Sequence, residues 1–308
     1  MSQGRKIAIV GGTGTVGSVT LSALLTKNIH TITAISRGDS TAAFPDACIV
    51  KKGSYDDEKF LLSALKDQDV LILQLGRFAV DIQDNFFTAA VKAGVKYILP
   101  TEFGSDPEAH QMVKEQPPLW GKAERRKLVQ DLGGSWIAVV NNPWFDWSMS
   151  NGLWGIDTNA KKATLWSGGN TKANTTTLKR VGEAVAELLS LPEEELAAYK
   201  NKPFYVSSFY VTQREMLDSV QRVTGTRDED WVIEDKDIAV VASESDEEVK
   251  KGNMMAAVPK FYSVHFRQGY GGDYNHKLDL QKFGFAEEDI DTVVKDVVAS
   301  GPANLLSK

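Results

Sequence analysis

The chain has 308 residues, 42% hydrophobic and 25% charged, which suits a folded protein with a sizeable core. A net charge of −6 argues against a nucleic-acid binder, which needs a basic surface, and the sole cysteine, Cys48, excludes an intramolecular disulfide. Four scattered histidines give no metal-ligand spacing, and no apolar run reaches the length of a secretory core or a membrane span, so a metal-free, cytoplasmic protein without a membrane partner is expected.

The apolar run 6–10 predicts a buried strand, cut short by Gly11-Gly12. The spacing of Val16, Val19, Leu21, Leu24 and Leu25 predicts a helix over 15–27. Strands follow at 31–36, near 47–51, at 69–75, at 95–99 and at 136–140. Helices are predicted between them near 56–66, at 81–93 and near 119–132. Alternating helices and continuously apolar strands imply an α/β fold with a doubly wound parallel sheet of the Rossmann type. After about Asn142 the rhythm weakens. Residues 143–175 read as loops with short strands, and helices are predicted at 178–190, 212–224, 245–257 and 286–299. The expected division is a dinucleotide-binding domain over 1–150 and a smaller α+β substrate lobe over 151–308, with a soft boundary and some strands returning to the first domain. The acidic clusters 193–195, 228–230 and 244–248 read as solvated helix ends and turns.

The run Gly11-Gly12-Thr13-Gly14-Thr15-Val16-Gly17 lies between the first strand and the first helix. Gly11 permits a tight exit from the strand, Gly14 a close approach to a pyrophosphate, and Gly17 close packing of helix on strand. Free N–H groups at the helix start then face the phosphates, beside Thr13, Thr15 and Val16. The second strand ends in Ser36-Arg37-Gly38-Asp39. A carboxylate ending this strand would select NAD, whereas Arg37 stands where a guanidinium meets a 2′-phosphate. NADP(H) is therefore the favoured cofactor, with Asp39 on the ribose as the alternative. Gln74, Leu75 and Gly76 end the fourth strand and are expected to line the cofactor too.

The stretch 98–106, Ile-Leu-Pro-Thr-Glu-Phe-Gly-Ser-Asp, resembles the Leu-Pro-Ser-Glu-Phe-Gly-x-Asp signature of the isoflavone reductase, pinoresinol–lariciresinol reductase and phenylcoumaran benzylic ether reductase group, with Thr101 in place of the serine. His110, the run Lys122 to Arg126, and Asn142 with Phe145 are similar to later stretches of that group. The second half looks more like fungal isoflavone-reductase-like oxidoreductases, related to the NmrA-like proteins. The resemblance implies that Thr101, Glu102, Phe103, Asn142 and Phe145 meet the cofactor. It also implies that Lys122 stands beside the nicotinamide as general acid or base.

Helical phase supports a special place for Lys122. Val129 and Leu132 share its side, while Glu124, Lys127 and Asp131 lie opposite. An inward lysine is costly unless it is paired or functional; the bland alternative is a stem that packs and a head that reaches water. A short-chain dehydrogenase would carry tyrosine four residues before this lysine, but Pro118 is there. His110 reads either as a proton relay or as a solvated loop residue.

Trp136, Trp144, Trp147, Trp154 and Trp166 follow the lysine helix closely. Trp136 and Trp166 read as core, and Trp144, Phe145, Trp147 and Trp154 as an aromatic substrate pocket. Met254, Met255, Phe261 and Tyr262 are open candidates for its other side. The expected activity is an NADPH-dependent reductase of a conjugated or aromatic small molecule, acting as a monomer or homodimer. Two alternatives stay open: an NADP-sensing regulator without turnover, and an isomerase or cyclase on the same fold.

Overall fold

The computed structural model describes residues 2–76, 79–278 and 280–301. Its first half is a repeat of strand and helix. In chain order the elements are β1 (Lys6–Val10), α1 (Thr15–Lys27), β2 (Thr31–Arg37), β3 (Cys48–Gly53), α2 (Glu58–Leu65), β4 (Val70–Leu73), α3 (Gln83–Lys92), β5 (Tyr97–Leu99), α4 (His110–Glu115), α5 (Pro117–Asp131) and β6 (Ile137–Val140). The central sheet is parallel throughout, in the order β3-β2-β1-β4-β5. A single parallel bridge between Ile98 and Trp136 leads on to β6.

The strands alternate two buried faces. Ile7, Ile9, Val70, Ile72 and Leu99 pack toward α1, together with Val16, Leu21 and Leu24. Ala8, Val10, Leu71, Leu73 and Ile98 pack the other way, toward Leu61 and Leu65 of α2, Phe86 and Phe87 of α3, and Val129 of α5. Burial on both faces is why these strands are continuously apolar. Asp57 caps α2, accepting from the N–H groups of Lys59 and Phe60.

The second half contains α6 (Phe145–Ser150), β7 (Ile156–Asp157), β8 (Lys162–Trp166), β9 (Lys172–Thr175), α7 (Leu178–Ser190), α8 (Glu193–Ala197), β10 (Lys202–Tyr205), β11 (Phe209–Thr212), α9 (Gln213–Thr224), β12 (Val232–Lys236), α10 (Ile238–Lys250), α11 (Ala257–Ser263) and α12 (Ile290–Ser300). Two of these elements belong spatially to the first half: β10 pairs in parallel with β6, and α7 lies against α1. At that contact a Cβ on Gly182 would stand 2.5 Å from the Val19 carbonyl oxygen, so only glycine lets the two helices approach so closely. The remaining elements enclose a second core around Trp154, Trp166, Met216, Leu217 and Phe266.

Three expectations change. The helix expected at 245–257 is α10, beginning seven residues earlier at Ile238, because Asp237 caps it by accepting from the Ala239 N–H. The acidic run 244–248 lies inside that helix. Residues 145–150, expected as loop, form α6, and His110 opens α4 rather than standing in a loop. Residues 302–308 of the expected second lobe lie outside the described residues. Among the described residues no helix is long and apolar enough to cross a membrane, and no cluster of side chains could hold a metal ion.

Candidate active site

The C-terminal ends of β1, β4, β5 and β6 open onto one cleft of about 610 Å³. Of the residues singled out in the sequence, the cleft gathers Gly14, Thr15 and Val16 from the glycine loop, with Gln74, Leu75 and Gly76 from the end of β4. Thr101, Glu102 and Phe103 follow β5, Lys122 projects from α5, and Asn142, Trp144 and Trp147 follow β6. This convergence is the property of a parallel sheet whose connections leave on the same edge.

The glycines divide by role. A Cβ on Gly11 would lie 2.1 Å from the Gln74 carbonyl oxygen, and one on Gly17 would lie 1.9 Å from the Gly11 carbonyl oxygen. Both hold loop, strand and helix together from outside the cleft. Gly14 and Gly76 border the cleft itself. A Cβ on Gly14 would meet only the Gly11 carbonyl oxygen, at 3.3 Å, and one on Gly76 would have nothing within 4 Å. Helix α1 begins there with no side chain capping it and no acid in its first turn. An uncapped helix start, open space at Gly76 and unpartnered acceptors on Gln74 and Asn142 fit a bound dinucleotide. Thr13 borders a neighbouring groove between α1 and Pro45. Arg37 ends β2 outside the cleft, exposed, with its Nε 3.6 Å from Asp39 Oδ1.

Thr101 fastens two strand ends. Its hydroxyl donates to the Leu73 carbonyl at 3.1 Å and accepts from the Leu75 N–H at 3.3 Å. The next turn is tight: Phe103 takes a left-handed φ of 26° and borders the cleft. Asn142 also has a left-handed φ, 51°, which asparagine tolerates. Its Nδ2 donates to the carbonyls of Asn174 and Gly272 at 2.8 and 2.9 Å. Asp106 fixes the far end of the turn, accepting from Lys277 Nζ at 2.9 Å and from the Tyr205 hydroxyl at 3.1 Å.

Lys122 is the polar centre. Its Nζ donates to the Glu102 backbone carbonyl and lies 3.7 Å from Glu102 Oε2. Arg126 takes the other oxygen of that buried carboxylate. Burial lowers the lysine pKa from its ordinary value, the carboxylate opposes that shift, and the Arg126 charge adds to it. Facing the ammonium is an aromatic wall of Trp144 and Trp147, packed edge to face at 5.7 Å, with Phe261 and Tyr262. The arrangement sets one ammonium among the aromatic side chains that line the same cleft.

Besides Gly11, Thr13, Gly17 and Arg37, three more expected site residues stand outside the cleft. Phe145 is fully buried and packs edge-on against Phe209, and Trp154, 1% exposed, donates from its indole to the Phe145 carbonyl. Both belong to the second core: Phe145 is on the inward face of α6, and Trp154, in the turn beyond that helix, packs on Tyr262 and Phe266. His110 is exposed at the start of α4 and does not border the cleft. Ser105, Leu119, Phe261 and Tyr262 do border it. Only the last two had been candidates in the sequence, and nothing distant in the chain pointed to their position.

The model of the NmrA-like family matches residues 3–239. Oxidoreductase aprR of Aspergillus flavus is 28% identical over 276 residues, covering 87% of this chain and 90% of that protein. The isoflavone reductase of Medicago sativa is 23% identical, covering 92% of each. Among solved structures, that of AtPrR2 with NADP+ and (+)-pinoresinol superposes with a TM-score of 0.79 at 20% identity, covering 96% of this chain and all of that one. With the family model spanning more than three quarters of its length, the chain belongs to the NmrA-like family.

Proposed function

We propose that the protein is an NADPH-dependent reductase of a conjugated or aromatic small molecule, with Lys122 as its general acid or base. The observation that carries this reading is the Lys122 ammonium, held by a backbone carbonyl at the mouth of an aromatic cleft. Gly14, Thr15 and Val16 receive the pyrophosphate at the start of α1, and Arg37 receives the 2′-phosphate. Bound NADPH supplies a hydride to an electron-poor carbon of an enone, imine or quinone-methide-like acceptor. Lys122 gives its proton to the conjugated oxygen or nitrogen as negative charge develops there, so hydride and proton together complete a two-electron reduction of the acceptor. Burial eases that donation by weakening the ammonium's hold on its proton. The wall of Trp144, Trp147, Phe261 and Tyr262 stacks on the ligand and excludes water. A substrate-bearing reductase with NADP(H) as cofactor is thus favoured over a regulator, which has no use for a proton donor in this place.

The test is absorbance at 340 nm across a panel of phenolic enones, isoflavones and quinones, with wild type and Lys122→Ala in parallel. Lys122→Ala should lose about 10²- to 10⁴-fold in turnover while binding NADPH as before. Equal turnover by the variant would remove the lysine from the chemistry. Tight NADPH binding with no consumption on any compound would favour the regulator or the isomerase.

A further inference from the structure

The cleft holds a second polar pair that the lysine chemistry does not use. Ser105 borders it and is 5% exposed. The serine Oγ lies 3.0 Å from Nε2 of His265, a residue only 1% exposed. On the far side of the same ring, Nδ1 lies 2.9 Å from the Phe261 backbone carbonyl oxygen. The chain around His265 is closely fitted: a Cβ on Gly272 would stand 1.8 Å from the His265 carbonyl oxygen.

These contacts fix the direction of each hydrogen bond. A carbonyl oxygen can only accept, so Nδ1 carries the ring hydrogen. Burial pushes the imidazole down to about 4, so the ring is neutral at pH 7 and Nε2 is a bare acceptor. The single hydroxyl proton of Ser105 is therefore committed to Nε2. A serine ordinarily offers a donor or an acceptor as the ligand requires. This one has only lone pairs left for the cleft, whereas Lys122 offers only donors.

We propose that Ser105, its hydroxyl turned inward by His265, is a specificity-determining residue that selects ligands carrying a hydroxyl or N–H donor at that point. A free phenol satisfies it, and the corresponding methyl ether leaves its oxygen unpaired. His265 touches no ligand and is a positioning residue. The proposal rests on the reading of this cleft as the substrate site, but not on hydride transfer.

The test is equilibrium binding, followed by quenching of tryptophan fluorescence, with the protein saturated in NADP+. The probes are the monohydroxychalcones and their matched methyl ethers. Wild type should bind at least one hydroxychalcone roughly ten- to hundredfold more tightly than its ether, the cost of an unsatisfied buried acceptor. Ser105→Ala should bind that pair about equally, and Ser105→Thr should keep the preference. Nitrogen-15 NMR of the wild-type histidines should show His265 as the Nδ1–H tautomer at pH 7. This second measurement needs no variant that could fail to fold. Absence of any preference in wild type, a preference that survives Ser105→Ala, or an Nε2–H tautomer would each overturn the proposal. Loss of all NADPH oxidation with the binding preference intact would instead overturn the reductase reading alone.

Discussion

Lys122 and Glu102 meet twice: the ammonium donates to the Glu102 backbone carbonyl, and the Glu102 carboxylate stands 3.7 Å away, shared with Arg126. The backbone contact places the lysine, and the carboxylate keeps it charged against the pull of burial. Glu102→Gln should leave the first contact and remove the second. The lysine pKa then falls further. If protonated Lys122 is the acid, the high-pH limb of the turnover profile should move to lower pH in this variant. An unmoved limb, measured from kcat between pH 6 and 10, would detach the carboxylate from the chemistry.

The aromatic residues after β6 should separate into two kinds. Trp144→Leu and Trp147→Leu should raise KM by about two- to tenfold, the loss of one stacking contact, with little change in Tm. Trp154→Leu should instead cost about 3 kcal/mol of stability, because its buried ring packs on Tyr262 and Phe266. Thermal melts and steady-state kinetics on the three variants decide the matter.

Two glycines make a matched pair. Gly17→Ala should destabilise by about 1–3 kcal/mol, because its methyl group runs into the Gly11 carbonyl. Gly76→Ala meets nothing in the protein, so its melting temperature should stay near that of wild type. Its methyl group projects beside the cleft, so NADPH titration should show weaker binding. Unchanged affinity in Gly76→Ala would move the dinucleotide away from the end of β4.

His30 and His265 are both depressed to about 4 by burial. Unfolded histidine titrates near 6.5, so between pH 6.5 and 4 the unfolded chain binds more protons than the folded one. Their contribution to stability is complete above pH 6.5 and is lost as pH falls toward 4. Denaturant midpoints should drop between pH 7 and pH 5, with an uptake approaching two protons on unfolding. His30→Gln should halve that uptake. A flat midpoint across this window would show that neither ring is held neutral.

The first half of the fold was legible because the inner strands of its sheet are buried on both faces, so β1, β4, β5 and β6 announce themselves as apolar runs, whereas the edge strand β3 is largely exposed. The glycine loop and the inward phase of Lys122 were legible for the same reason, each being a local spacing. What escaped depends on contacts across the chain. Ser105 and His265 are 160 residues apart and meet only through the fold. Trp154 and Trp144 look alike in sequence, but one is buried beneath α6 and the other faces the cleft. The start of α10 at Ile238 was missed because it is marked by the Asp237 cap, a local hydrogen bond that apolar spacing does not register.

The contact of Gly182 with the Val19 carbonyl has a consequence for how such enzymes diversify. Leu188, Leu189, Phe204 and Val206 complete the same core as Ile7 and Ile32. A break near residue 150 would therefore strip one face of the sheet of its cover. Recombination between relatives cannot exchange the second half as a cassette. The side chains of α6 and α11 that line the cleft lie outside this shared core and are the ones free to vary, while the stretch from α7 to β10 stays tied to the sheet.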